Sequence, residues 1–222
     1  SIWRSFDQSF TQVSAGSLTF CGVKTDGTLF CQGNNDYGLS TPPAGTFTQV
    51  SLGVFHACGV KTDGTLSCWG RNQSGEASPP SGTFTQLSMS FDYSCGVKTG
   101  GAVTCWGNSR TAPPAGAFTQ VSVSEPHACG VKSNGALTCW GQGPLGQTAP
   151  PAGTFTQVSV SDHHACGVKG DGTVACWGQD WSGEASPPSG AFLQVSAGSG
   201  HTCGVKPDGN ITCWGSGPSA PL

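Results

Sequence analysis

A phrase of 37 residues is written six times along this chain, and no other feature constrains the fold as tightly. Its leading phenylalanine returns at Phe10, Phe47, Phe84, Phe118, Phe155 and Phe192, in steps of 37, 37, 34, 37 and 37. A period of this length marks a repeat architecture, in which each unit buries its apolar face only against its neighbours. The second copy, residues 47–80, reads FTQVSLGVFHACGVKTDGTLSCWGRNQSGEASPP. Positions held in every copy describe the scaffold. Positions that change from copy to copy are candidates for function.

The repetition runs unbroken, so residues 1–222 are expected to form one domain, with 1–9 as an N-terminal segment that closes the ring. Only 9% of the residues are charged, while 35 glycines and 15 prolines punctuate the chain. Short runs rich in β-branched and aromatic residues alternate with Gly, Pro, Asn and Asp clusters, and no amphipathic helical period of useful length appears. That pattern predicts many short strands, an all-β protein. No apolar stretch approaches the roughly 20 residues that span a bilayer, so membrane insertion is not expected.

Every repeat carries one cysteine pair ten positions apart: Cys21/Cys31, Cys58/Cys68, Cys95/Cys105, Cys129/Cys139, Cys166/Cys176 and Cys203/Cys213. Between the partners lies a turn such as Thr25-Asp26-Gly27. A three-residue loop with Gly in the left-handed position places Lys24 opposite Thr28, Val23 opposite Leu29 and Cys21 opposite Cys31. The cysteines then occupy a non-hydrogen-bonded pair, at the short end of disulfide reach. A two-residue Asp-Gly turn would shift the register by one and put the sulfurs on opposite faces. The three-residue loop, and with it six intra-hairpin disulfides, is the expectation. Closely spaced Cys-x2-4-Cys knuckles, which structural zinc requires, are absent from the sequence. Disulfides in this number point to an oxidising, extracellular compartment and a secreted protein.

Each unit offers a strand FTQVS, a second near HACGVK, a tight turn, a third reading TLSCWG, and a polar loop ending in Pro-Pro. Three or four antiparallel strands per repeat make one blade of a propeller, which manages its sheet edges by radial repetition. The core HxCGVKxDGxxxCWGxNxxGE resembles the regulator-of-chromosome-condensation (RCC-type) repeat over nearly the whole chain. In style it is closest to a secreted β-lactamase-inhibitor propeller and to Crinkly-type receptor ectodomains. The resemblance implies an RCC-like β-propeller. Relatives in that family are mostly seven-bladed, but the six copies here, each with its own cysteine pair, predict six blades with one intra-blade disulfide per repeat. The first copy departs from the rest, with Gln32 where the others have Trp69, Trp106, Trp140, Trp177 and Trp214. Trp3, outside the repeat, is expected to fold over the closure seam and replace the lost apolar surface.

Charge excludes one function. All six lysines occupy one repeat position beside the turn, leaving Arg4, Arg71 and Arg110, and the pI is about 5.9. A nucleic-acid surface needs a clustered basic patch, so no nucleic-acid partner is expected. Four histidines (His56, His127, His164 and His201) share a slot filled by Thr19 and Tyr93 in the remaining copies, and read as packing elements. His163 lies outside that slot, but neighbouring strand residues point to opposite faces, so His163 and His164 would not chelate one ion. The chain contains no nucleophile elbow, zinc-protease motif or phosphate loop. It is read as a non-enzyme without cofactor or metal.

Variation concentrates before the second strand and after the third of each repeat, at the hairpin end away from the Asp-Gly turn. One propeller face should therefore be a ring of uniform turns and the other a ring of individual loops, where binding commonly resides. The candidate binding residues are Tyr37, Phe55, Phe91, Asp92, Tyr93, Arg110, Asp162, His163 and Trp181. Counting Asp36, Glu76, Asp92, Glu125, Asp162, Asp180 and Glu184 against Arg71 and Arg110, seven acids less two bases leave that face net negative by five. Aromatic anchors with a charged rim suit a protein interface, and aromatic platforms beside carboxylates also suit sugars. The expected function is non-catalytic recognition of a protein, in the manner of an inhibitor. A glycan-binding lectin and a purely structural extracellular protein are the alternatives. Asn72 and Asn210 lie in glycan-acceptor tripeptides.

Overall fold

The computed structural model of the protein describes residues 9–108 and 112–216. Eighteen strands form six three-stranded sheets, each built from strands consecutive in sequence. Blade 1 holds β1 (Phe10–Ala15), β2 (Thr19–Lys24) and β3 (Leu29–Gly33). Blade 2 holds β4 (Phe47–Leu52), β5 (His56–Lys61) and β6 (Leu66–Gly70). Blade 3 comprises β7 (Phe84–Met89), β8 (Tyr93–Lys98) and β9 (Val103–Gly107), and blade 4 β10 (Phe118–Ser124), β11 (His127–Lys132) and β12 (Leu137–Gly141). Blade 5 comprises β13 (Phe155–Val160), β14 (His164–Lys169) and β15 (Val174–Gly178). Blade 6 ends the described chain with β16 (Gln194–Ala197), β17 (His201–Val205) and β18 (Ile211–Gly215).

The hairpins follow from their turns. The Lys24 amide donates to the Thr28 carbonyl and the Gly27 amide to the Lys24 carbonyl, each at 2.8 Å. Gly27 sits at φ +83°, a conformation glycine enters without steric cost. Asp26 closes the loop by accepting both the amide and the hydroxyl of Thr28, at 2.8 and 2.7 Å. Three residues in the loop set Val23 against Leu29 and Cys21 against Cys31, and every blade repeats that register.

The result is one disulfide per blade. Cys21 is bonded to Cys31, Cys58 to Cys68, Cys95 to Cys105, Cys129 to Cys139, Cys166 to Cys176 and Cys203 to Cys213, with Cα atoms 4.0–4.1 Å apart. The pairing expected from the turn is the pairing observed. Sequence treats the two partners of a bridge alike, but their settings differ. The second-strand sulfurs of Cys21, Cys58, Cys95, Cys129 and Cys166 belong to fully buried residues. Their third-strand partners Cys31, Cys68, Cys105, Cys139 and Cys176 are only half-buried, because the third strand is the outer edge of its blade. In blade 6 both Cys203 and Cys213 are half-buried. None of the twelve lies in the loops of the variable face, so the bridges serve the scaffold and not recognition.

The middle strand of each blade carries a glycine because the repeat phenylalanine lies on it. A Cβ on Gly59 would meet the Phe47 ring at 2.5 Å, and one on Gly130 would meet Phe118 at 2.7 Å. The repeat lysine covers the same ring from the solvent side in several blades, with Lys98 Nζ 5.7 Å from the Phe84 centroid and Lys132 5.8 Å from that of Phe118. Such cation–π contacts contribute about 0.5–1 kcal/mol each where exposed. Lys98, Lys132 and Lys206 therefore belong to the scaffold.

Blades pack in order round the axis. The first strand of each blade lies on the first and second strands of the one before, as β4 does on β1 and β2. Cores form at these boundaries: Cys21 and Val23 of blade 1 pack with Phe47, Val50, Leu52 and Ala57 of blade 2. Main-chain ties repeat too. The amides of Phe47, Phe84, Phe118, Phe155 and Phe192 each donate at 2.8 Å to the turn glycine of the preceding blade. The boundary from blade 6 to blade 1 is different, because Val13 of β1 is 66% exposed where its counterparts are buried. Residues 1–8, Trp3 among them, lie outside the described residues, so the expected closure through that segment does too.

Candidate partner-binding face

The indole of each of four repeat tryptophans holds a loop of the preceding blade. Trp69 Nε1 donates to the Leu39 carbonyl (2.8 Å), Trp106 to Glu76 (2.9 Å), Trp177 to Gln147 (2.7 Å) and Trp214 to Glu184 (3.0 Å). Each acceptor closes the variable loop after a third strand. Trp3 lies outside the described residues, and its expected compensation for Gln32 does too.

Inside three of these loops, the side chain of the acceptor residue also caps its own turn. Glu76 is fully buried, taking the Ser74 amide at 2.6 Å and the Arg71 Nε at 2.8 Å. Burial opposes ionisation of this carboxyl, but its own amide, the Arg71 guanidinium and the Ser74 amide outweigh it and hold the pKa below the usual range. Glu184 is buried likewise, with the Ser182 amide at 2.6 Å and the Trp181 amide at 3.2 Å. Sequence alone counts these two acids as surface; they are internal loop caps. Asp180 also caps its loop, accepting the Ala185 amide and the Ser186 hydroxyl at 2.8 and 2.6 Å.

The loops that precede the second strands converge. Ser17, Val54, Phe91, Glu125 and Asp162, from blades 1 to 5, line one axial cavity of about 470 Å³. Along its rim, blades 1 to 3 set three aromatic rings edge to face. Tyr37 lies 6.1 Å from Phe55, and Phe55 5.4 Å from Phe91, with interplanar angles of 71° and 78°. The Arg71 guanidinium lies over both phenylalanines, 5.1 Å from one centroid and 4.8 Å from the other. Glu76 neutralises that cation from below. The group is thus a rigid apolar ladder with a fixed, internally paired charge. Tyr37 is 58% exposed and holds φ +59°, the left-handed region, where no other non-glycine among the described residues is found. Leu18 and Val54 continue the apolar surface beside a smaller pocket of about 120 Å³ that Phe55 also lines.

Blade 5 carries a second aromatic feature. Trp181 is 79% exposed, and its ring stacks on His163 at 6.5 Å and 30°. Asp162, the residue before His163, accepts the Ser124 hydroxyl of blade 4 at 2.5 Å. Asp92, half-buried, accepts the Asn108 amide at 2.7 Å.

Among the candidates, Tyr37, Phe55 and Phe91 come together, and Asp162, His163 and Trp181 form the other group. Tyr93 does not join either, contrary to expectation. It is buried in the histidine slot, its hydroxyl donating toward the Ser124 and His127 carbonyls at 3.1 and 3.0 Å, and burial pushes its pKa up. Its ring is long enough to reach the next blade's backbone, so it replaces histidine as a packing element. Arg110 lies outside the described residues. Sequence reasoning weighs Arg71 only as a charge; its place five residues before Glu76 is the available signal that the two pair.

The slot itself crosses blade boundaries. His56 Nε2 meets Ser94 Oγ at 2.8 Å, and His164 Nε2 meets Thr202 Oγ1 at 2.7 Å. Ser94 and Thr202 donate onward to the Glu76 and Glu184 carbonyls, so each imidazole is the donor in its pair. Ala165 stands at the corresponding place for His127, and neither nitrogen of that ring has a protein partner. Burial lowers the pKa of both His56 and His127 to about 4.

A radial array of disulfide-closed sheets, with uniform turns at one end and individual loops at the other, defines a repeat propeller of the interaction type. The Regulator of chromosome condensation (RCC1) repeat matches residues 10–39, 47–76, 155–183 and 192–219, more than half of the chain, and the chain belongs to that family. No curated protein sequence matches it. Among solved structures it is similar to the CRINKLY WD40 ectodomain of the Arabidopsis thaliana receptor kinase ACR4, at 26% identity and a TM-score of 0.79 over 96% of this chain and 82% of that one. The entire ectodomain of the Physcomitrella patens receptor kinase CR4 superposes at 25% identity and a TM-score of 0.83, covering 96% of this chain and 65% of that one. Yeast RCC1 (Prp20), solved bound to Kap60, shares the fold at 14% identity and a TM-score of 0.78, over 93% of this chain and 70% of that one.

Proposed function

We propose that this chain is a secreted, non-catalytic binding propeller that recognises a protein partner through the loop rim of blades 1 to 3. The observation that carries the reading is the Tyr37–Phe55–Phe91 ladder built round Arg71. Aromatic residues and arginine dominate the energetics of protein interfaces when they are held rigid at a surface. Here the guanidinium is already paired with Glu76, so covering it on binding leaves no unmatched charge. Exposed carboxylates at Asp36 and Asp162 favour a partner with basic groups at its rim. Six disulfides and the likeness to receptor ectodomains support an extracellular setting. The partner of yeast RCC1 is itself a protein, which agrees with this class of role.

The test is capture from extracellular fluid with the intact oxidised chain, followed by a binding isotherm for the captured protein. Phe55→Ser and Phe91→Ser should each weaken one-to-one binding strongly, by about 2 kcal/mol if they are anchors. Capture that survives both substitutions sinks the reading. Glycan binding is a second reading, favoured by one observation: the exposed Trp181 ring backed by His163, with Asp162 adjacent. Glycan-array binding that free sugar inhibits and Trp181→Ala abolishes would select it instead.

A further inference from the structure

Where the first strand of a blade turns into the second, one residue stands beside the slot imidazole, and the blades use it differently. In blade 5 the Ser161 hydroxyl meets His164 Nδ1 at 3.0 Å. His164 Nε2 donates to Thr202, so Nδ1 is the acceptor and Ser161 the donor. In blade 2 the residue is Gly53, where a Cβ would stand 3.0 Å from His56 Nδ1. That nitrogen has no partner among the described residues. In blade 4 the residue is Ser124, paired with His127 across the turn. Its hydroxyl goes instead to Asp162 of blade 5, at 2.5 Å, and His127 Nδ1 is left without a partner among the described residues. Both imidazoles are fully buried, where an unmatched polar atom is costly. Asp162 therefore holds the Ser124 hydroxyl against a competing acceptor.

Gly53, Ser124 and Asp162 all line the axial cavity, so that competition takes place in its wall. The cavity itself is chemically one-sided. Leu52, Met89 and Val123, from the ends of β4, β7 and β10, give it a buried apolar lining, which Phe91 of blade 3 extends. Blades 4 and 5 add two carboxylates, Glu125 and the exposed Asp162. Among the described residues that line it, none is a lysine, arginine or histidine. Arg71, which lies over the Phe91 ring, is already paired with Glu76. A cation entering here meets carboxylate beside an apolar bed, and charge complementarity selects it over a neutral or anionic molecule of the same shape.

We infer that the axial cavity is a binding site for an organic cation, an ammonium or guanidinium carried on an apolar stem. The stem lies on Leu52, Met89 and Val123, and the charged head pairs with Asp162. The head displaces the Ser124 hydroxyl from that carboxylate. The released hydroxyl turns to His127 Nδ1, as Ser161 does to His164. Asp162 thus exchanges a hydroxyl donor for a charged one, and His127 gains the donor it lacks. Occupancy is reported by a buried ring that the ligand never touches. A free amine and a basic side chain of a protein partner offer the same chemistry. The inference does not rest on the loop-rim reading, because Tyr37 and Phe55 are not among the residues that line this cavity.

The test titrates the full oxidised chain, uniformly isotope-labelled, with n-hexylammonium, n-hexanol and hexanoate. The expected result is a saturable shift of the His127 ring signals, with the Leu52 and Met89 signals, for n-hexylammonium alone. Asp162→Asn should weaken binding by about tenfold, for loss of one charge-assisted pair, and Phe55→Ser should leave it unchanged. Asp162 is exposed, so an unchanged melting temperature confirms that this variant keeps the fold. Ser124→Ala should keep the Leu52 and Met89 shifts and lose the His127 response. Four results overturn the inference: no saturable shift with n-hexylammonium, an equal shift with n-hexanol, binding indifferent to Asp162→Asn, or a His127 response that survives Ser124→Ala. A capped lysine that binds as tightly as n-hexylammonium assigns the head group to a protein side chain. One that binds about tenfold more weakly, or worse, assigns it to a free amine.

Discussion

Trp106 of blade 3 donates its indole N–H to the carbonyl of Glu76, 2.9 Å away in the loop of blade 2. The carboxylate of that same glutamate holds Arg71 against the aromatic ladder. A scaffold tryptophan and a candidate binding surface are therefore joined through one residue. Trp106→Phe keeps the ring but removes the donor. It should cost about 1 kcal/mol of stability and weaken partner binding beyond that loss, because the loop carrying Arg71 is released. Denaturant unfolding and a binding isotherm on the same variant check both halves; unchanged affinity at reduced stability refutes the coupling.

Ala165 stands where Ser94 and Thr202 satisfy the histidines of their neighbouring blades. Ala165→Ser should give the buried His127 a hydroxyl partner and raise stability by about 1 kcal/mol, the typical worth of one such bond. The added hydroxyl can in turn donate to the Gln147 carbonyl, which already takes the Trp177 indole. Thermal unfolding decides the matter, and a lowered melting temperature would show that the site has no room.

Acid should weaken the fold in a defined window. His56 and His127 titrate near 4 in the folded chain against an ordinary value of 6.5. Between those values the unfolded state binds protons that the folded state refuses, so stability rises with pH. The contribution is complete above about 6.5 and is lost as pH falls toward 4, at most about 3 kcal/mol per histidine. Glu76 and Glu184, held below the usual range, lose their contribution only at lower pH. Urea unfolding from pH 7 to 4 should show the decline, and His127→Leu should flatten it. A flat profile in the parent chain would contradict the buried neutral imidazoles.

Tyr37 separates function from stability. Its φ of +59° is costly for any residue with a Cβ, of order 1 kcal/mol, and glycine adopts it freely. Tyr37→Gly should leave the melting temperature unchanged or slightly higher while reducing partner affinity. Loss of both together would mean that the ring serves packing.

The disulfides invite the simplest measurement. Replacing Cys166 and Cys176 together by Ala should cost about 2–4 kcal/mol, with the other five bridges left intact in a non-reducing mass measurement. A cost near zero would mean that blade packing alone restrains the hairpin.

Much of this architecture is legible in the residue order, and for a physical reason. Asp26, Gly27 and Thr28 specify their turn locally, and turn length sets register, so Cys21 has to meet Cys31. The same local logic pairs Cys58 with Cys68 and Cys203 with Cys213, places the lysines beside their turns and sends the variable loops to the other end. What stays hidden depends on contacts between blades. Only those contacts bury Cys58 more deeply than its own partner Cys68. Gln12 looks like an ordinary strand residue until Val50 is seen opposite it, 38 positions away. Glu76 sits in a polar loop that reads as surface, and only the fold shows its carboxylate turned inward onto Arg71 and Ser74. Tyr93 has the size of an anchor, although four histidines already mark its slot as internal.

Because four of the repeat tryptophans each steady a loop encoded thirty residues earlier, synthesis and surface completion run out of step. A ribosome delivering this chain makes the Tyr37 loop well before Trp69 emerges to fasten it. The same lag returns at Glu76, which waits for Trp106. Every variable loop so fastened is finished by the polypeptide made after it, and a nascent chain halted between repeats would expose its newest loop unsecured.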